Sequence, residues 1–240
     1  LGLSLIAEYI NPKVSGILSG IPTGTAIILF FYGLEQGPNF ASQSSVFNLV
    51  GMLGLQVFIL IYFLSSKSNS KGNIFISSLL ATLGYLITIF LLNQFNFSLL
   101  TAIIFPLISI PLFTYLFKKI NNSTIKKIKV NPKVLFLRAI FSSIFILLII
   151  GLAKILGPEW AGLLSAFPTT VFPLILIMHF SYGKEPVHTI IKNIPKGQWA
   201  MLVYIPCIFF LYPLLGIYLG TLIAYSLVML YLLIVFKFSK

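Results

Sequence analysis

Three observations predict an all-α polytopic membrane protein of about nine helices, built as two inverted repeats. First, only 8% of the 240 residues are charged and 58% are hydrophobic, with a mean hydropathy of +1.04; soluble domains carry about 25% charged residues. Second, the apolar runs are long and do not alternate. Lipid offers the backbone no hydrogen-bond partner, so these runs must be helices rather than barrel strands. Third, Ser19–Thr23 reads S-G-I-P-T and Ser165–Thr169 reads S-A-F-P-T, 146 residues later, and that offset holds without a gap over most of the chain.

The expected helical segments are 1–10 (partial), 14–34, 44–64, 74–92, 98–117, 134–156, 160–182, 198–217 and 219–236. A ~30 Å hydrocarbon core takes about 20 residues at ~1.5 Å each. At the 146-residue offset Leu1–Ile10 matches Leu147–Leu156, the end of a helix that starts near Val134; about a dozen residues are therefore expected to precede Leu1. The loops at 11–13, 65–73, 118–133 and 183–197, with the tail 237–240, hold every lysine except Lys154, while those at 35–43, 93–97, 157–159 and near 218 hold none. The positive-inside rule predicts that the lysine-rich face, the loop 118–133 and the C-terminus are cytoplasmic. This topology accounts for the net charge of +12, so nucleic acid is not an expected partner. The loop 118–133 is a topogenic linker on this reading; a lysine cluster for anionic lipid is the alternative.

The repeat divides the chain into 1–92, an odd linking helix with its basic loop at 93–133, and 134–240. The offset pairs Pro12 with Pro158, Gly16 with Gly162, Gly37 with Gly183, Gly51 with Gly197 and Tyr85 with Tyr231. Five helices separate each element from its counterpart, which predicts copies that cross the membrane in opposite senses. Glu8 with Lys13, and Lys154 with Glu159, place an acid and a base five residues apart in each turn; each pair is expected to brace its turn as a surface ion pair.

Pro22 and Pro168 fall about eight residues into their helices, ~12 Å deep and near the bilayer midplane. Proline cannot donate its N–H and clashes with the preceding turn, so a carbonyl is freed at each site. Ser19, Thr23, Thr25, Ser165, Thr169 and Thr170 supply hydroxyls there, and Gly16, Gly20, Gly24, Gly162 and Ala166 permit close helix approach. With Pro22, Pro168 and the mid-helix Gln56, these residues form the expected solute-binding seam. A kinked packing seam without ligand is the plainer alternative. Asn48 is expected near the outer end of its helix, His179 at the interface, and Glu35 as a solvated cap or part of an external entrance. Pro106, Pro111, Pro173, Pro206 and Pro213 are expected to kink their helices, and Trp160 and Trp199 to anchor at the interface.

Catalysis is not expected. The four acids all lie away from mid-depth, whereas metal-assisted phosphoryl transfer needs carboxylates at the metal. No histidine lies within two turns of Ser19 or Ser165 in sequence, and Cys207 is the lone cysteine. No cofactor or metal is implied.

The run A-G-L-L-S-A-F-P-T at Ala161–Thr169, followed by His179, Gly183 and Trp199 and preceded by L-A-K at Leu152–Lys154, resembles the GlpM family of small bacterial inner-membrane proteins. The first copy, with L-E-Q-G-P at Leu34–Pro38, is similar to bacterial membrane proteins of duplicated form. The resemblance implies no molecular activity and transfers no catalytic residue. The duplicated plan is similar, at the level of fold, to drug/metabolite transporters. The expected partners are the lipid bilayer and a small solute, with a homodimer left open. The expected function is transport or export of that solute by alternating access; the alternatives are a membrane assembly subunit and a lipid-modifying enzyme.

Overall fold

The computed structural model describes residues 17–18, 21–67, 72–122 and 132–238. The expected helix 1–10, Glu8, Lys13, Gly16, Ser19 and Gly20 lie outside them. Among the described residues all regular structure is helical: α1 (Gly24–Gln36), α2 (Pro38–Ser65), α3 (Gly72–Leu92), α4 (Leu99–Leu116), α5 (Pro132–Ser165), α6 (Val171–Tyr182) and α7 (Lys184–Phe238). Five stretches are long and apolar enough to cross a membrane: Pro38–Ser65, Asn73–Leu92, Leu99–Leu116, Phe136–Ser165 and Lys184–Val235. The distribution of polarity is inverted relative to a soluble domain. Phe75, Leu100, Ile155 and Leu214 face outward, while Asn48, Gln56, Ser165 and Gln198 are buried. Such a surface is stable against lipid rather than water.

The expected loops at 35–43, 157–159 and 183–197 are almost entirely helical. Gly37 (φ 96°), Gly157 (φ 77°), Gly183 (φ 80°) and Gly216 (φ 77°) each end one helical run, and the next begins at the following residue. Without a Cβ, glycine adopts positive φ freely, so a single residue redirects the chain. Pro38 and Pro158 follow two of these glycines, at helix starts where a missing N–H costs nothing. The 55 residues of α7 are thus two helical pieces meeting at Gly216.

The prolines expected to kink their helices do not interrupt them. Pro106 and Pro111 lie inside α4, and Pro206 and Pro213 inside α7, with no break in helical φ and ψ at any of them. Pro173 is in the first turn of α6, where its N–H is not needed. Pro213 shows how the cost is offset: it cannot bond the carbonyl of Phe209, and Ser42 Oγ donates to that carbonyl at 2.7 Å instead.

Helix α2 is the hub, packing against α1, α3, α4, α5 and α7. Its approach to α5 is as close as backbones allow: a Cβ on Gly162 would lie 2.1 Å from Ser44 O. Gly151, one helix face away from any neighbour, has nothing within 4 Å of that position. Gly162→Ala is therefore expected to destabilise the detergent-solubilised protein by about 1–3 kcal/mol through overpacking. Gly151→Ala is expected to raise stability by about 0.5–1 kcal/mol through helix propensity. Equal unfolding midpoints for the two variants would contradict the packing described.

Candidate functional site: a seam between two broken helices

The two proline motifs are breaks rather than kinks, because proline also drives the residue before it out of the α region. Pro22 precedes α1, and Pro168 lies between the end of α5 and the start of α6. The backbone takes the same course at both. Ile21 N donates to Leu18 O at 3.2 Å and Thr23 N to Ile21 O at 2.7 Å; 146 residues on, Phe167 N donates to Leu164 O at 3.0 Å and Thr169 N to Phe167 O at 2.7 Å. The exits match as well: Gly37 N donates to Gly33 O at 3.1 Å, and Gly183 N to His179 O at 3.0 Å.

The breaks meet. Thr23 Oγ1 lies 3.3 Å from Thr170 Oγ1. A Cβ on Gly24 would be 2.2 Å from Thr169 Oγ1, so a larger residue there would have to turn that hydroxyl aside. The carbonyls at the end of α5, the last four of which have no i+4 backbone partner within the helix, are bonded in turn. Tyr32 Oη donates to Ala161 O at 3.0 Å, Ser165 Oγ to Gly162 O at 2.7 Å, and Tyr85 Oη to Leu163 O at 2.6 Å. Phe167 N donates to Leu164 O at 3.0 Å, and Thr25 Oγ1 to Ser165 O at 3.2 Å. Tyr225 Oη donates to Pro22 O at 3.3 Å.

A cavity of about 30 Å³ opens beside the crossing. Pro168 and Thr169 line it, and so do five pairs of residues separated by 146 positions: Ile21 and Phe167, Gly24 and Thr170, Thr25 and Val171, Met52 and Gln198, Leu55 and Met201. None of its lining side chains is ionisable. A water needs roughly 10–15 Å³ of such space, so about two water-sized groups fit. The rings of Phe58, Tyr85, Phe145 and Phe172 pack around Phe167 and wall off one side.

Of the residues expected in the seam, Thr25, Pro168, Thr169 and Thr170 line the cavity, and Pro22 and Thr23 adjoin it. Ser19 lies outside the described residues. Gln56 is buried behind the cavity and donates from Nε2 to Gln198 Oε1 at 3.0 Å. Ser165 also stands back, accepting from Asn48 Nδ2 at 2.7 Å. Asn48 is not near a helix end, because α2 starts at Pro38 and places it in the third turn. His179 is buried with Nδ1 3.0 Å from Tyr62 Oη, so that ring nitrogen serves a tyrosine rather than Ser165. Lys154 Nζ pairs with Glu35 Oε2 at 3.0 Å rather than with Glu159, since Gly157 redirects the helix between the latter two. The pair is exposed and contributes little.

The residue that sequence reasoning missed is Gln198. Its place at the edge of an expected loop hid it. In a continuous helix it interrupts an apolar stripe of Ile194, Met201 and Ile205, all buried, and that interruption was a readable signal. Among the described residues no group of three or more His, Cys, Asp or Glu side chains converges. No family model matches the chain, and no curated protein or solved structure does so either.

The carbonyl accounting predicts an order of damage. Thr25→Val removes the side-chain donor to Ser165 O and is expected to cost about 1–3 kcal/mol. Tyr85→Phe is expected to cost less, because Ala166 N also reaches Leu163 O, at 3.3 Å. Ser226→Ala, whose hydroxyl bonds only its own helix at Leu222 O, is expected to stay within about 0.5 kcal/mol of the parent. Chemical unfolding in detergent measures all three, and a reversed order would show that the hydroxyls do not hold the break.

Proposed function

We propose that this protein is a membrane transporter or exporter of a small solute, working by alternating access about the helices broken at Pro22 and Pro168. The observation that carries the reading is the small cavity where the two breaks touch, lined in pairs by residues 146 positions apart. Transport sites are typically built at discontinuous helices, and non-helical backbone at membrane depth is tolerated only where it is buried in protein or lines a cavity. At about 30 Å³ the cavity is too small for a metabolite, so on this reading a solute enters only when the two breaks separate.

On this reading residues 1–92 and 134–240 are inverted copies, joined by α4 and the basic loop. The recurring backbone hydrogen bonds and the matched glycines Gly37 and Gly183 support that relation. The proposal keeps about nine crossings, with Gly157 and Gly216 dividing α5 and α7. It also keeps an inner-membrane location with the lysine-rich face cytoplasmic, and kinship with the GlpM-like proteins through the second copy.

The test is a reversible lock. In a Cys207→Ser background, Thr23→Cys with Thr170→Cys places two thiols where the hydroxyls are 3.3 Å apart, a separation a disulfide can bridge. In proteoliposomes, solute uptake across a metabolite panel is expected to stop on oxidation and to return on reduction. Uptake that is indifferent to the cross-link, or no uptake of any solute by the parent protein, would overturn the proposal.

A further inference from the structure

The seam contains two helix N-termini pointing to one place. Helix α1 begins at Gly24 after Thr23, and α6 at Val171 after Thr170, and neither threonine side chain caps its own helix. The two hydroxyls face each other instead. The first N–H groups of a helix have no partner within it, and each N-terminus carries roughly half a positive charge; in α6 Phe172 N bonds Pro168 O and Pro173 has no N–H, so its first-turn donors are Thr170 N and Val171 N. Two such ends side by side repel unless negative charge lies between them.

Two side chains add an independent indication. Thr169 and Gln198 are each 1% exposed, both line the cavity, and Thr169 Oγ1 and Gln198 Nε2 have no hydrogen-bond partner. Both can donate. Of the acceptors nearby, Ser165 O is engaged by Thr25, Pro168 O by Phe172 N and Gln198 Oε1 by Gln56; Gln56 Oε1 and Asn48 Oδ1 have no partner, but neither residue lines the cavity. The lining holds no carboxylate to repel an anion and no lysine to trap one. From helix ends, a hydroxyl and an amide we infer that the seam cavity is a binding site for a small monovalent anion, of halide, nitrate or formate size. Its space for about two water-sized groups sets that limit. Neutral donors bind such an ion weakly enough to release it, as passage requires, and the net charge of +12 raises the anion concentration at the surface.

The inference rests on the transporter reading for its purpose but not for its test. The full chain in detergent is titrated with formate or nitrate against gluconate at constant ionic strength, and the thermal midpoint is followed. Formamide, the neutral counterpart of formate, is the control. A saturable rise with formate and none with formamide is expected. Gln198→Leu and, separately, Thr169→Val should weaken it by about tenfold, the loss expected for one charge-assisted hydrogen bond, whereas Ser226→Ala should leave it unchanged. If Gln198→Leu does not fold, Thr169→Val decides. Formamide acting as strongly as formate overturns the inference; it would mean that the Gln198 amide is rotated to offer Oε1 to a neutral solute. An anion effect that survives both variants overturns it as well. Anion-driven flux in proteoliposomes then separates the two readings. Binding without flux keeps the anion site and removes transport, while saturable flux of neutral solutes without formate or nitrate binding keeps transport and removes the anion site.

Discussion

The structure depends on how a broken helix is satisfied where no water can reach it. Helix α5 ends at Ser165 in the interior, and its final carbonyls are bonded by Tyr32, Tyr85 and Thr25 from α1 and α3, by its own Ser165 hydroxyl, and by the backbone of Phe167. Three of these donors come from 78 to 140 residues away in sequence. An unbonded carbonyl in such surroundings costs about 1–3 kcal/mol. The break therefore persists only if the remote helices are present and in register. Local proline chemistry makes the break, and tertiary contact makes it tolerable.

The same constraint explains the packing around it. Donors reach the break only if backbones come close, which the glycines permit. Gly24 lies under Thr169, Gly162 under Ser44, and Gly51 under Ala166. Helix α2 threads between the motifs and carries Asn48 and Gln56, whose amides bond Ser165 and Gln198. Buried amides and hydroxyls are costly unless paired, and Thr169 Oγ1 and Gln198 Nε2 are unpaired donors on residues that line the cavity.

Much of the fold was legible in the sequence. The apolar runs predicted helices, and α4 fell within one residue of its expected bounds at both ends. The prolines at positions 22 and 168 marked the breaks, and Thr23, Thr25, Thr169 and Thr170 were recognised as seam residues because hydroxyls at a helix break have an evident task. Less legible were the connections. Polar stretches such as 183–197 resemble loops, yet a glycine at positive φ turns the chain in one residue and helix resumes. Gln198 was hidden for that reason. The partner of Lys154 was misjudged because spacing along the chain does not survive a change of helix direction at Gly157.

By itself the sequence determined that the chain is helical, that its outer surface is apolar, and that the backbone leaves the helical path at Pro22 and Pro168. These follow from composition and from backbone chemistry within a few residues. Only the tertiary structure decided that the breaks touch through Thr23 and Thr170, that Gln56 sits behind Gln198 rather than in the cavity, and that the cavity holds about 30 Å³. Those outcomes turn on which helix faces meet across more than a hundred residues. That choice is set by packing and hydrogen-bond satisfaction over the whole assembly, which no local pattern encodes.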